Sequence, residues 1–373
     1  MTRRETLIAR SIVYAILNTK DNGKPAKKPS LVTRILRLFY TYWLTFRLVR
    51  YDLFKALHGV WGIKEDDYRA SFDIKKLNHQ KKRRKALLPM GDMGYSGSTF
   101  FRTNDGAYLV KSIPRHFEHD FFKSELLLSY ADHMRANRSS LLVRITSFLE
   151  STHKSIGVLL GLAPSHHIIM ENIMYGQDQD AQKTLKPKWE SWDLKPTSYF
   201  FPERDIAGGL LASQATKSKL ADEFNDKIWL PEAQATQFMR QVENDTMLLA
   251  KCNAVDYSLF LVRISAADAE SQPSLQPEQT SAEPIPPVQP PFTPPHPPSW
   301  RTGVTSSNGK EIYRAAILDF FWSKHTVYAQ AMTGLVRGYN LIDEQGPMSI
   351  TTDSNEYRER FLKMCSEYIE VQE

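Results

Sequence analysis

Leu87–Ile113 reads LLPMGDMGYSGSTFFRTNDGAYLVKSI. The loop Gly94, Tyr95, Ser96, Gly97, Ser98 has two glycines and two serines, so backbone amides and hydroxyls can crowd around an anion. STFFRT alternates as a half-buried strand does, and Asn104-Asp105-Gly106 is a strong hairpin turn. AYLVKSI then returns as a second strand with Lys111 near its end. A flexible loop beside a strand-borne lysine is one way to hold a nucleotide's phosphates. An ordinary hairpin with a Gly/Ser loop fits the same letters, because short glycine motifs are common.

Outward from that stretch, 373 residues are enough for a large core, and we expect two lobes. Hydrophobic residues make up 42% and charged residues 24%, the balance of a globular chain rather than a disordered one. Two cysteines, Cys252 and Cys365, form neither a disulfide framework nor a metal-ligand spacing, which suits a reducing intracellular compartment. His116 and His119 stand too close together, without further ligands, for a zinc site.

Charge is uneven. Residues 1–87 hold 21 Lys/Arg against 7 Asp/Glu, whereas the remainder holds 27 against 35. A basic end on an acidic body points to an anionic partner, with a solvated basic arm as the plainer reading. Met1 to Asn18 reads as a short helix broken by arginines, which makes a poor signal peptide. Leu31 to Leu57 follows helical spacing, and its arginines argue against a membrane span; we expect a basic amphipathic helix that packs on the body or faces a membrane or partner. KKRRK, Lys81 to Lys85, suits anionic lipid, nuclear import or neither. With no aromatic platform beside it, nucleic acid is not an expected partner. Phe117 to Met134 and Trp229 to Lys251 read as helices, and Leu141 to Leu149 and His167 to Met170 as strands. Eleven of the 21 prolines fall between Pro273 and Pro298, so residues 266–310 are expected to be a disordered insertion, with polyproline docking to a partner as an alternative use.

Several ionisable residues lie beside apolar runs: Lys111, then Asp193 and Lys195 in SWDLKPTS, Asp256 in AVDYSLFLV and Asp319 in AILDFF. Ions there are costly unless paired or bound to metal or phosphate. Each alone has a dull explanation as a strand-end residue; the group downstream of a Gly/Ser loop is harder to dismiss.

With these residues in view, the chain resembles the phosphatidylinositol phosphate kinase family. The resemblance runs colinearly through GYSGSTFFRTNDGAYLVKSI, LLSYADH, IIMENI, WDLK, VDYSLFLVRI, AILDFF and EYRERFLKMC, preceded by FKALHGVWGIKEDDYRASF. It implies an α+β, two-lobed fold of the SAICAR synthase-like kind, with an antiparallel sheet in each lobe and ATP between them. The expected division is a basic region at 1–53, an amino-terminal lobe at 54–172 and a carboxy-terminal lobe at 173–373, interrupted at 266–310. The cofactors implied are ATP and Mg²⁺. The substrate implied is a phosphatidylinositol monophosphate in an anionic membrane, with a 4-phosphate 5-kinase favoured. A cytoplasmic, peripherally membrane-associated protein follows, with a nuclear pool if the basic run 81–85 is read, and with a homodimer known in parts of the family.

Residue by residue, the resemblance implies that Gly94, Tyr95, Ser96, Gly97 and Ser98 fold over the ATP phosphates and that Lys111 holds the α- and β-phosphates. Glu118, or else Glu125, would orient Lys111, while Met170, Glu171 and Asn172 would border the adenine. Asp319 matches the metal-binding aspartate. Asp256 would orient or deprotonate the inositol hydroxyl, and Asp193 and Lys195 would lie near the transferred phosphoryl group. The chain departs from the family at Pro196-Thr197, where Gly-Ser is usual, at Val255 and at Arg263. It departs again in Lys324 to Val336, which has no lysine pair. Those departures keep open a second reading, a catalytically degenerate kinase that binds phosphoinositides or serves as a scaffold.

Overall fold

The computed structural model describes residues 2–20, 41–73, 85–90, 98–152, 155–160, 162–181, 186–196, 224–265, 299–323 and 352–372. The chain forms two units, 1–138 with 143–172, and 139–142 with 173–373. Both mix helices with antiparallel sheet, the α+β class expected.

In the first unit, helix α1 (Arg3–Leu17) starts on a capping box: Thr2 Oγ1 accepts from Glu5 N, and Thr2 N donates to the Glu5 carboxylate. Ile8, Ile12, Ala15 and Ile16 make its buried stripe. Strand β1 (Phe46–Val49) follows, then α2 (Tyr51–Trp61) and α3 (Glu65–Ala70). Gly62 ends α2 in the left-handed conformation at φ 72°, which glycine adopts without strain. His58 on α2 contacts Glu65 at 3.1 Å and the Thr146 carbonyl at 2.9 Å, pinning both helices to the sheet.

That sheet has β2 (Leu87–Pro89), β3 (Phe100–Thr103), β4 (Tyr108–Ser112), β5 (Ile145–Ser151) and β6 (His166–Glu171), in the order β1-β5-β6-β4-β3-β2. The β3–β4 turn is made by Asn104-Asp105-Gly106 as read from sequence. Gly106 takes φ 79°, and Asp105 Oδ1 accepts from Thr103 Oγ1 and from Ala107 N. Between β4 and β5 run α4 (His116–Phe121), a π-helical turn (Phe122–Leu126) and α5 (Leu127–Ala136), which bury Phe121, Phe122, Leu126, Leu127 and Tyr130.

The second unit begins with a guest, Ser139–Leu142. Asp245 accepts from Ser140 Oγ and Leu141 N, Arg301 Nη2 donates to the Ser140 and Leu142 carbonyls, and Ile317 N donates to the Leu141 carbonyl. Its main sheet joins β7 (Lys188–Leu194), β10 (Ser258–Ser265), β11 (Val304–Thr305) and β12 (Glu311–Leu318) in the order β11-β12-β10-β7. Between β7 and β10 in sequence come β8 (Ile228–Leu230), α6 (Glu232–Lys251) and β9 (Ala254–Val255); after β12 come β13 (Trp322–Ser323), α7 (Ser354–Tyr368) and β14 (Ile369–Val371). Strand β13 pairs with β9, and β14 pairs in parallel with β8.

Ile173, Val262, Ile264, Ile312 and Ala316 form one core cluster, flanked by Trp189, Phe260 and Leu318. Arg314, fully buried, donates to the Ile173 and Tyr175 carbonyls at 3.0 and 2.8 Å and lies over the Trp189 ring. Burial pulls its pKa down to about 10. On the opposite face Arg263 binds Glu190 through two nitrogens (3.1 and 2.8 Å) and Asp226 through a third contact (2.5 Å), with Glu311 3.6 Å away. Its guanidinium lies over Trp192 and Phe224.

Two expectations need correction. Leu31–Leu57 is not one helix: Phe46–Val49 is a strand paired with β5 from Phe46↔Ser151 to Val49↔Phe148, and helix begins at Tyr51. Its β-branched and aromatic residues satisfy a sheet edge better than a helix face, and Arg50, at φ 52°, breaks the path between them. Nor does the expected disordered insertion extend to residue 310. Residues 299–310 are folded, with Trp300, Arg301, Thr302 and Val304 buried, because Trp300 packs on Phe238 of α6 and Arg301 fills the carbonyls of the guest segment. Four sequence features, Leu31–Tyr40, 81–84 of the basic run, the prolines of 266–298 and Lys324–Val336, lie outside the described residues.

Candidate active site

Three strand ends meet in the second unit. On β7, Asp193 is opposite Phe260 and Leu194 is opposite Leu259; Lys195 follows at once. On β12, Ile317 is opposite Leu259 and Leu318 is opposite Ser258; Asp319 follows. Asp256 lies just before β10, after the short strand β9. The antiparallel register therefore puts Lys195, Asp256 and Asp319 at one end of the sheet, and the pairing Trp322↔Val255 draws the segments carrying the two aspartates together. Residues 63 positions apart in sequence become neighbours through strand pairing alone.

Lys195 Nζ is 3.0 Å from Asp256 Oδ1, and their side chains are 17% and 24% exposed. Burial by itself would lower the lysine's pKa. The fields of Asp256, Asp193 and Asp319, with the hydrogen bond to Asp256, outweigh it and hold the pKa above the ordinary lysine value. Lys195 is therefore a firmly charged ammonium among three carboxylates.

Asp256 and Asp319 both have left-handed backbone, at φ 64° and φ 61°. For a residue with a Cβ this conformation costs roughly 1–2 kcal/mol, less for Asp than for most. Local bonding supports it: Phe321 N turns back to the Asp319 carbonyl at 2.9 Å, and Tyr357 of α7 donates from its hydroxyl to the Tyr257 carbonyl at 2.6 Å. Of this set, Lys195 can offset charge on phosphate oxygens, and the carboxylates can meet phosphate only through a bound cation. Asp319, Asp193 and Asp256 offer oxygen donors, the kind a hard divalent cation takes. Among the described residues no three His, Cys, Asp or Glu side chains form a metal cage. Such a set fits Mg²⁺ held by one or two carboxylates together with substrate phosphates and water, and does not fit an all-protein site.

In the first unit, Lys111 on β4 is buried, opposite Phe100 on one side and Ile168 on the other, with Nζ 5.4 Å from the centre of the Phe100 ring. Ser98 is buried just ahead of β3, and the next residue is tied to β4 by Thr99 N donating to Ser112 Oγ at 2.8 Å. Gly94, Tyr95, Ser96 and Gly97 lie outside the described residues. Glu118 on α4 pairs with Arg115 at 3.4 Å. Met170 and Glu171 end β6 and Asn172 follows, all three buried. Glu171 Oε1 accepts from Arg144 N at 2.8 Å, and Asn172 Nδ2 donates to the Gly106 carbonyl at 2.7 Å, so these two side chains fasten the β3–β4 turn and the start of β5 to the strand's exit.

Sequence reasoning passed over Ser258, fully buried opposite Leu318 with a hydroxyl that finds no hydrogen-bond partner among the described residues. Its one signal was its place two residues after Asp256. It also set aside the histidines except as zinc ligands. His119 stacks on His166 with ring centres 3.6 Å apart, and burial, with the field of His119, pushes His166 down to about 4.

A family model described as phosphatidylinositol-4-phosphate 5-kinase matches residues 81–368. Among curated proteins, the chain is similar to a probable phosphatidylinositol phosphate kinase of Dictyostelium discoideum, 28% identical over 225 residues, which are 60% of this chain and 28% of that one. It is similar to a phosphatidylinositol 4-phosphate 5-kinase type-1 beta of Gallus gallus, 23% identical, covering 56% of this chain and 34% of the relative. It is also similar to a phosphatidylinositol 4-phosphate 5-kinase-like protein 1 of Mus musculus, 26% identical, covering 56% and 46%. The chain thus spans less than half the length of each of these relatives.

Proposed function

We propose, from the premise that the chain belongs to the phosphatidylinositol-4-phosphate 5-kinase family, that it is an ATP- and Mg²⁺-dependent lipid kinase. It would transfer a γ-phosphoryl group to an inositol hydroxyl of a phosphatidylinositol monophosphate. The names of its relatives favour the 4-phosphate as substrate and the 5-hydroxyl as acceptor. The observation that carries the reading is Lys195 held among Asp256, Asp193 and Asp319.

Phosphoryl transfer asks a protein for charge neutralisation and alignment more than for covalent help. Asp256, hydrogen-bonded to Lys195, is suited to accept the proton of the attacking hydroxyl or to hold it in line. Lys195 supplies positive charge to the transferred oxygens as charge redistributes in the transition state. Asp319, with Asp193 nearby, is the candidate ligand for Mg²⁺, which when bound neutralises the β- and γ-phosphates. Lys111 of the first unit is the candidate cation for the α- and β-phosphates.

The test is incubation with labelled ATP, Mg²⁺ and liposomes bearing each monophosphate in turn. Product above that of Asp319→Asn supports the reading; none sinks it. Pro196, directly after Lys195, favours a second reading, because it stiffens a segment that has to approach phosphate. A degenerate kinase would bind phosphoinositide liposomes without turnover and show no Mg·ATP-dependent rise in melting temperature.

A further inference from the structure

The connection between β5 and β6 presents four large aliphatic side chains to solvent. Ile156 is 44% exposed, Leu159 and Leu160 are each 66% exposed, and Leu162 is 46% exposed. Single exposed leucines need no explanation, but four within seven residues form a patch. Hydrogen bonds tie its described residues down. Ser155 Oγ caps the turn by accepting from Val158 N; Leu159 N and Leu160 N return to Ser155 and Ile156, and Leu162 N and Ala163 N both return to Gly157. A Cβ on Gly157 would stand 2.0 Å from the Thr41 carbonyl oxygen, so the turn is seated directly on the segment before β1. Thr152 reinforces this by donating from both its amide and its hydroxyl to the Thr45 carbonyl. With Gly157 seated against Thr41 and the amides of Val158, Leu159, Leu160 and Leu162 bonded within the turn, its leucines face outward.

Aromatic and cationic groups flank it. Trp43 is 36% exposed, and Arg4 lies with its guanidinium 5.7 Å from the Tyr42 ring centre, which brings the exposed Arg3–Arg4 end of α1 to the same edge. Arg10 and Tyr14 continue that exposed side of the helix. The nearby Glu5 carboxylate accepts from Thr2 N in the capping box. Outward leucines, interfacial aromatics and an arginine rim are the composition of a surface that enters the headgroup layer of a negatively charged bilayer. A second copy of the chain fits less well, since a two-fold contact through the patch would bring two arginine rims together.

We propose that the exposed side chains Ile156, Leu159, Leu160 and Leu162, with the Arg3–Arg4 end of α1, are a docking surface for an anionic lipid bilayer. The experiment is cosedimentation of the full chain with phosphatidylcholine vesicles, with and without phosphatidylserine. The vesicles hold no phosphoinositide, so this result is independent of whether the lipid-kinase reading stands. Binding to phosphatidylserine vesicles is expected. The pair Leu159→Ser/Leu160→Ser should lower the partition coefficient about tenfold, with an unchanged melting temperature because both side chains are exposed. The pair Arg3→Gln/Arg4→Gln should lower it about tenfold on phosphatidylserine vesicles alone. Undiminished binding by the leucine pair would overturn the proposal. So would the absence of vesicle binding together with a dimer, seen by light scattering, that dissociates in the leucine pair.

Discussion

In the second unit Arg263 meets Glu190, Asp226 and Glu311, while Lys195 meets Asp256, Asp193 and Asp319; each is one cation facing three carboxylates. The count of charges is the same and the construction differs. Arg263 stands mid-strand, its planar fork spent on Glu190 and Asp226 and its face on two aromatic rings, and Glu190 and Glu311 lie on the strands either side. That cluster clamps three strands, with the guanidinium's edge and face both engaged by protein groups. Lys195 is a point charge at a strand end, and two of its aspartates sit on left-handed backbone that adjoining pairings hold in place. Placement and backbone strain, rather than charge, separate a clamp from a candidate site.

The largest effect expected is on turnover. Asp256→Asn should lower lipid phosphorylation by roughly 10²–10⁴-fold with a melting temperature close to wild type, whereas Arg263→Gln should leave the turnover of the folded protein nearly unchanged. If both lose activity alike, the distinction between the clusters fails. Stability should reverse the order: Arg263→Gln should cost about 1–3 kcal/mol in denaturant unfolding, and Asp256→Asn less than about 1 kcal/mol.

The clusters should also fail at opposite ends of the pH scale. Burial alone would raise the pKa of Glu190, but hydrogen bonds from Lys188 and Arg263 hold it below the usual range; the Lys227 amide and then Arg263 do the same for Asp226. Their stabilisation is present above the unfolded carboxylate values, about 4, and is lost as pH falls through the lower folded values. Lys195 has a raised pKa. Its stabilisation is complete below about 10.5 and is lost as pH rises through the higher folded value. Melting temperature measured against pH should therefore lose part of its acid slope in Arg263→Gln and part of its alkaline slope in Lys195→Met. The same slope changes in both variants would show the clusters to be coupled.

The smallest effect concerns the backbone. Asp256→Gly should be more stable than Asp256→Ala by about 1 kcal/mol, because only glycine is at ease at φ 64°. At Glu190, within a strand, the order should invert by about 0.5–1 kcal/mol. Equal stabilities at Asp256 would remove strain as the mark of the site.

Local chemistry was legible in the sequence. The Asn104-Asp105-Gly106 turn, the strands around it and Asp319 at a strand's end follow from turn residues and alternation. The meeting of Lys195 with Asp256 was not legible from spacing, because it depends on the register of β10 against β7, and only the resemblance in WDLK and VDYS suggested it. Helical periodicity misled at Phe46–Val49, where pairing with β5 decided the state. Composition misled at residues 299–310, since prolines next to Trp300 hid a segment whose burial is set by Phe238 and by carbonyls at Ser140 and Leu142.

The guest segment Ser139–Leu142 carries a consequence for how the protein is made. On the ribosome, Ser140 emerges 105 residues before Asp245 and 161 before Arg301. The second unit therefore cannot complete its hold on this early-synthesised piece until helix α6, Arg301 and strand β12 exist to bind it. Cutting the chain after Asn172 would yield one fragment with four stranded residues and another with Asp245 and Arg301 facing an empty groove. The two units are thus a single biosynthetic commitment, and neither can be expected to arise from its own stretch of message.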